Sequence, residues 1–121
     1  MNKNEIEING SLYIKKDSIN VESEKMDGLE YVVIRTYSAG VHAGYLKEKN
    51  GKEVTLVNSR RIWKWKGANE LCGLAMHGIK FPEESKISPV QSKIVLTQAI
   101  EILSTTKEAQ KTIIETEEWK V

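Results

Sequence analysis

The chain has 121 residues, of which 18 are basic and 17 acidic, for a formal net charge of +1. That balance argues against a protein built to coat nucleic acid, which carries a clear basic excess, while leaving room for a local basic pocket for a small anion. With 40% apolar and 29% charged residues, the composition is that of one globular domain rather than a disordered chain.

The single cysteine, Cys72, allows no internal disulfide and fits a reducing cytoplasm. The opening MNKNEIEING lacks the apolar core of a secretory signal, and no apolar run approaches the ~20 residues of a membrane span. A cytoplasmic protein without a membrane partner is expected.

Residues 5–14, EIEINGSLYI, alternate apolar and polar around Asn9-Gly10, which predicts a short β-hairpin. Residues 15–29 are polar and aperiodic and predict a mobile linker or irregular arm. Glu30–Tyr37 is β-branched and aromatic, a strand. Ser38-Ala39-Gly40 turns the chain, Val41–Lys49 makes a second strand, and Asn50-Gly51 turns it into a strand over Glu53–Val57. Asn58–Lys66, NSRRIWKWK, alternates again. Extended, it sets Arg61, Trp63 and Trp65 on one face and Arg60, Ile62 and Lys64 on the other.

Gly67 breaks that strand. ANELCGLAMH, residues 68–77, spaces Leu71, Leu74 and Ala75 along a helix, with Gly78 just past its end. Pro82 and Pro89 make 79–90 an irregular loop, and Ser92–Leu103 reads as one long strand with a bend. Thr105-Thr106-Lys107-Glu108 reads as a capping box opening a helix over 106–114, and Trp119–Val121 as a last strand edge. The predicted fold is α+β: an antiparallel sheet of short strands and hairpins with two short helices. It divides into an N-terminal hairpin and mobile arm (1–29) and a single α+β ligand-binding domain (30–121).

Catalytic chemistry has few candidates. Cys72 and His77 are five residues apart, so on a helix they point to different faces. Cys72 reads as a small buried apolar residue and His77 as a residue suited to a helix C-terminus. No C-x-x-C, H-x-x-x-H or H-E-x-x-H spacing offers a metal site, and neither a Walker A pattern nor G-x-G-x-x-G is present. The carboxylates fall in solvated runs such as Glu83/Glu84 and Glu115/Glu117/Glu118. A binding protein is predicted rather than an enzyme, with no cofactor and no metal. His42, in Gly40-Val41-His42-Ala43-Gly44, reads either as a hydrogen-bonded strand histidine or as a ligand contact.

The densest chemistry is Ser59–Lys66, which interleaves cations with aromatic faces. Arginine offers a planar fork to phosphate and tryptophan a face to a base. Arg60, Arg61 and Trp63 are therefore candidate ligand residues, although the tryptophans could equally form the core face of a strand. Phe81, the one phenylalanine, lies in a loop beside Pro82 as a stacking platform or a core anchor. Gln91 could read a base edge or a ribose. Gly40 and Gly44 allow close backbone approach, for sheet packing or for a ligand. Sheet edges at the N-terminal hairpin and the Trp119 tail predict a homo-oligomer with ligand sites near subunit boundaries.

The run Tyr31–Leu46 (YVVIRTYSAGVHAGYL), Asn50-Gly51, Ser59–Trp63, Gly67-Ala68, Ala99–Ile102, the Thr105 cap and Glu118-Trp119 together resemble a family of small phage-encoded proteins of unknown function. Over residues 30–121 they also resemble the Thoeris anti-defence proteins of the first type. The resemblance implies a sponge that captures glycocyclic ADP-ribose, made by bacterial TIR-domain enzymes, and holds it unaltered in the host-cell cytoplasm. It further implies a hexamer, with cyclic dinucleotides or trinucleotides bound by some members at separate sites. The family's pocket pairs arginines and aromatic residues around adenine and pyrophosphate. Arg60 or Arg61, and Phe81, are the positions that match. An arginine that the family's C-terminal helix can supply has no counterpart, since Ala109, Gln110 and Lys111 stand there. The alternatives are an enzyme degrading such a signal, with His42 as its acid or base, and a phage nucleic-acid or protein adaptor.

Overall fold

The computed structural model describes residues 21–64 and 71–119. The run Tyr31-Val32-Val33-Ile34 has no polar side to offer solvent, and all four side chains are buried, as in a strand covered on both faces. It lies in β1 (Tyr31–Thr36), between β2 (Val41–Asn50) and β6 (Ala99–Ser104). β3 (Glu53–Lys64) pairs with β2 on one side and with β5 (Gln91–Leu96) and the short β4 (Lys86–Ile87) on the other. All pairings are antiparallel, and two short helices, α1 (Leu71–His77) and α2 (Lys107–Glu115), complete the α+β fold.

The sheet is rolled. β5 and β6 lie at opposite ends of the path β5-β3-β2-β1-β6, yet only Thr97-Gln98 separates them. Leu96 and Ala99 can be at most about 11 Å apart, whereas four strand spacings in a flat sheet span about 19 Å. The long strand expected over 92–103 is therefore two strands joined at a corner. Inside the roll, Val32 and Ile34 meet Val54, Leu56 and Leu96, with Leu46 and Ile102 packed alongside. On the outer face, Tyr31, Val33 and Ile62 meet Leu74 and Ala75 of α1 and Ile113 of α2.

β3 serves both clusters. Val54 and Leu56 enter the roll, while Ile62, at the same alternation, faces the helices. The switch is at Asn58, whose φ is 50°. There β3 advances from Val57 to Arg60 while β2 covers only Ala43 to Tyr45. One extra residue in a strand exchanges its faces, and asparagine tolerates the left-handed conformation that the bulge needs. The two strands expected over 53–57 and 58–66 are thus one strand with a bulge, described as far as Lys64.

Local chemistry shifts other boundaries by a residue. The hairpin closes on Asn50 and Glu53, so Gly51-Lys52 is the turn, and Gly51 (φ 63°) supplies the positive first position of a type II′ turn. Thr106, not Thr105, caps α2, accepting from Ala109 N at 3.1 Å. Residue Glu108 then falls too early for a capping box. The loop 79–90 contains a 3-10 turn at Pro82–Glu84 as well as β4. Cys72 is exposed rather than buried, because it stands about 200° round the helix from the inward-facing Leu74.

The expected 5–14 hairpin lies outside the described residues, as do Trp65, Gly67 and the start of the helix expected from residue 68. Of the expected arm, 21–29 is irregular but tied to α2. Ser23 N donates to Thr105 O at 3.1 Å and Lys107 N to Val21 O at 2.9 Å. The Gln110 carboxamide grips the Glu24 backbone, accepting from its N at 2.7 Å and donating to its O at 2.8 Å. Trp119 N donates to Ile87 O at 2.9 Å, laying the tail beside β4.

Gly78 ends α1 with φ 76°, and a Cβ there would meet Thr112 Oγ1 and Ala109 Cα on α2. Gly51 also has positive φ, but a Cβ there would meet nothing within 4 Å. Urea unfolding is expected to show a loss of about 3 kcal/mol for Gly78→Ala and about 1 kcal/mol for Gly51→Ala.

Candidate functional site

The alternation that separated Arg60 from Arg61 holds beyond the bulge, and it sends the two arginines to different tasks. Arg60 is 4% exposed. Its Nε donates to Ser88 O at 2.8 Å, and its Nη1 reaches Ile113 O at 2.9 Å, Ile114 O at 3.2 Å and Thr116 O at 2.6 Å. The last carbonyls of a helix have no partner within it, and a cation there is favoured by the helix dipole. Burial holds the guanidinium below the usual arginine value, opposed by nearby Tyr31 and Glu118. Arg60 is turned inward as the C-terminal cap of α2, away from any surface ligand.

Arg61 is exposed, and its Cζ lies 5.8 Å from the centroid of the Trp63 ring. Trp63, 51% exposed, meets Trp119, 43% exposed, edge to face at 6.2 Å and 66°. Lys86 Nζ lies 4.5 Å from the Trp119 ring centroid. β4 brings Lys86 opposite Lys64. The result is a surface strip of cation, indole, indole, cation. Each exposed cation–π contact contributes about 0.5–1 kcal/mol, enough to orient the strip while leaving the outer ring surfaces open.

His42 stands opposite Arg61 in the β2–β3 register but is only 3% exposed. Its Nε2 lies 2.9 Å from Ala39 O. A carbonyl can only accept, so Nε2 carries the hydrogen. Burial lowers the His42 pKa below the usual histidine value; the Ala39 bond opposes this and the charge of Arg61 adds to it. The Arg61 guanidinium lies over Gly40, where a Cβ would come 3.2 Å from Nε and 3.3 Å from Nη2. Gly40 thus makes room for an outward-facing arginine, while Gly44 is a packing position, its missing Cβ 2.9 Å from that of Ser59.

The other two candidates sit on other elements. Phe81, 40% exposed, precedes the 3-10 turn, and its carbonyl accepts from Glu84 N and Ser85 Oγ, each at 2.9 Å. Gln91 is exposed at the start of β5, opposite Ser59. Neither takes part in the contacts that define the strip. Sequence reasoning passed over Lys86 and gave Trp119 only an edge-pairing role. Nothing local to either residue announces the partner. Among the described residues, no group of three or more His, Cys, Asp or Glu side chains is placed to hold a metal ion, and no helix is long and apolar enough to cross a membrane.

A family model described as a domain of unknown function (DUF6948) matches residues 29–113. The chain belongs to that family. No curated protein and no solved structure matches it. The DUF6948 match takes in β1 to β6, α1 and most of α2, and of the strip it includes Arg61, Trp63 and Lys86 but not Trp119.

The two arginines are separable by stability. Arg60→Met is expected to lower the unfolding free energy by about 2–4 kcal/mol, as buried carbonyls lose a charged donor. Arg60→Lys should recover only part of this, since an ammonium lacks the planar fork. Arg61→Ala should change it by less than about 0.5 kcal/mol in the same urea titrations.

His42 predicts a pH dependence. Its folded pKa is lowered, so below about pH 6.5 the unfolded chain takes up a proton that the folded chain refuses. Its contribution is complete above that pH and is lost as pH falls towards the folded value. Urea midpoints measured from pH 7.5 to 5 should decline with a slope of up to about 1.4 kcal/mol per pH unit, and His42→Gln should flatten the decline.

Proposed function

We propose that the chain binds a small cyclic nucleotide signal and sequesters it unaltered. The ligand we assign is glycocyclic ADP-ribose, which the resemblance to Thoeris anti-defence proteins of the first type implies, and the setting is the host-cell cytoplasm. The observation that carries the reading is the strip Arg61–Trp63–Trp119–Lys86, which sets two exposed ring systems between two cations. A nucleotide diphosphate needs these parts: a face for the base and positive charge for the pyrophosphate.

A sponge has to bind tightly but need not turn anything over. Nanomolar affinity corresponds to about 12 kcal/mol, whereas stacking one base contributes about 1–3 kcal/mol. An open strip on one subunit falls short of that total. The reading therefore includes a homo-oligomer, hexameric by resemblance, in which a second subunit closes the site, with Phe81 as the further aromatic that the resemblance assigns. Cyclic oligonucleotides would occupy separate sites.

The test is to incubate the purified protein with the product of a TIR-domain enzyme, gel-filter it, heat it, and identify what is released by mass spectrometry. Intact cyclic ADP-ribose isomer is the expected result. An altered product would favour a degrading enzyme, and recovery of no nucleotide would overturn the reading. Arg61→Ala and Trp63→Ala are each expected to weaken retention about 5- to 100-fold without loss of folding.

A further inference from the structure

A second concavity lies at the closed corner of the roll, on residues that the nucleotide reading does not use. A cavity of about 300 Å³ is lined, among the described residues, by Tyr37, Lys52, Gln98, Ala99 and Ile100. Its frame is fixed where three connections meet. Tyr37 N donates to Gln98 O at 2.9 Å, and Ala99 N to Lys52 O at 3.0 Å. On this frame Tyr37 is 77% exposed, the most of any large apolar or aromatic residue described, and Ile100 is 52% exposed. An aromatic and an aliphatic side chain thus stand in water at one cavity, with a single cation and a carboxamide beside them.

We propose that this cavity binds an apolar carboxylate, with its ring or branched alkyl group against Tyr37 and Ile100 and its carboxylate on Lys52. The volume is at the small end of the ligand-pocket range, suited to one or two rings. An amine of the same shape would meet Lys52 as a like charge. Two sources present this chemistry: a free aryl or alkyl acid, and the C-terminal residue of a peptide. β6 starts at the cavity and, among the described residues, pairs only with β1. Its other edge would give main-chain hydrogen bonds to a peptide but not to a free acid.

The test is an amide NMR titration of the full chain with indole-3-acetate, tryptamine, and an acetylated pentapeptide ending in tryptophan with a free carboxylate. Indole-3-acetate is expected to shift residues 37, 52 and 98–100 and to bind about fivefold more tightly than tryptamine. Lys52→Gln should erase that preference, and Tyr37→Ala should abolish binding while the rest of the spectrum stays unchanged. Tighter peptide binding with shifts extending along 100–104 would identify a peptide end as the source; a peptide no better than the acid would identify the small molecule. Equal binding of acid and amine, or no saturable shift at these residues, would overturn the proposal. Neither result bears on nucleotide capture, which uses other side chains.

Discussion

The buried guanidinium of Arg60 joins the sheet to α2 at the point where each most needs a partner. Removing an arginine from water costs several kcal/mol unless its donors are met, and the end of α2 presents carbonyls that the helix cannot satisfy itself. Contacts to Ser88, Ile113, Ile114 and Thr116 answer both needs at once. They also position the chain on either side: Ser88 leads into β5, and Thr116 leads into the tail that carries Trp119. The exposed tryptophan strip therefore depends on a contact made in the core.

The strands were legible because β-branched and aromatic residues cluster in them, and alternation over 59–64 separated the inward from the outward arginine. Which was which depends on tertiary placement: both residues are arginine, and only the position of α2 decides which side is buried. The bulge was hidden for a similar reason. Asn58 is an acceptable strand end or turn residue, and only the β2 register shows the chain continuing through it. At α2 two adjacent threonines compete for the cap. Thr105 is taken by the core, its Oγ1 donating to Tyr31 O at 2.7 Å, which leaves the cap to Thr106.

The candidate site was less legible than the fold. Arg61 and Trp63 are neighbours on one strand, so pattern alone paired them. Lys86 and Trp119 reach them from 23 and 56 residues beyond Trp63, through β4 and its bond to the tail. Membership of the DUF6948 family, described as a domain of unknown function, assigns no role to this arrangement, so the chemistry of the strip is what gives the nucleotide reading its content.

The extra residue at Asn58 has a consequence for how the gene can vary in length. The bulge sets Val57 and Arg60 on one face although they are three residues apart, so loss of the Asn58 codon would leave them two apart, the spacing of an ordinary strand, with Arg60 and Ile62 still towards the helices and Arg61 and Trp63 still towards solvent. Loss of a codon just beyond the bulge would instead bring Arg61 to the Arg60 position, a swap of like for like, and move Trp63 into the space that Ile62 fills, a swap the tight helix-side packing resists. Codon loss in this strand would thus be absorbed at the bulge and rejected past it, where strand length is held by a single isoleucine-sized space.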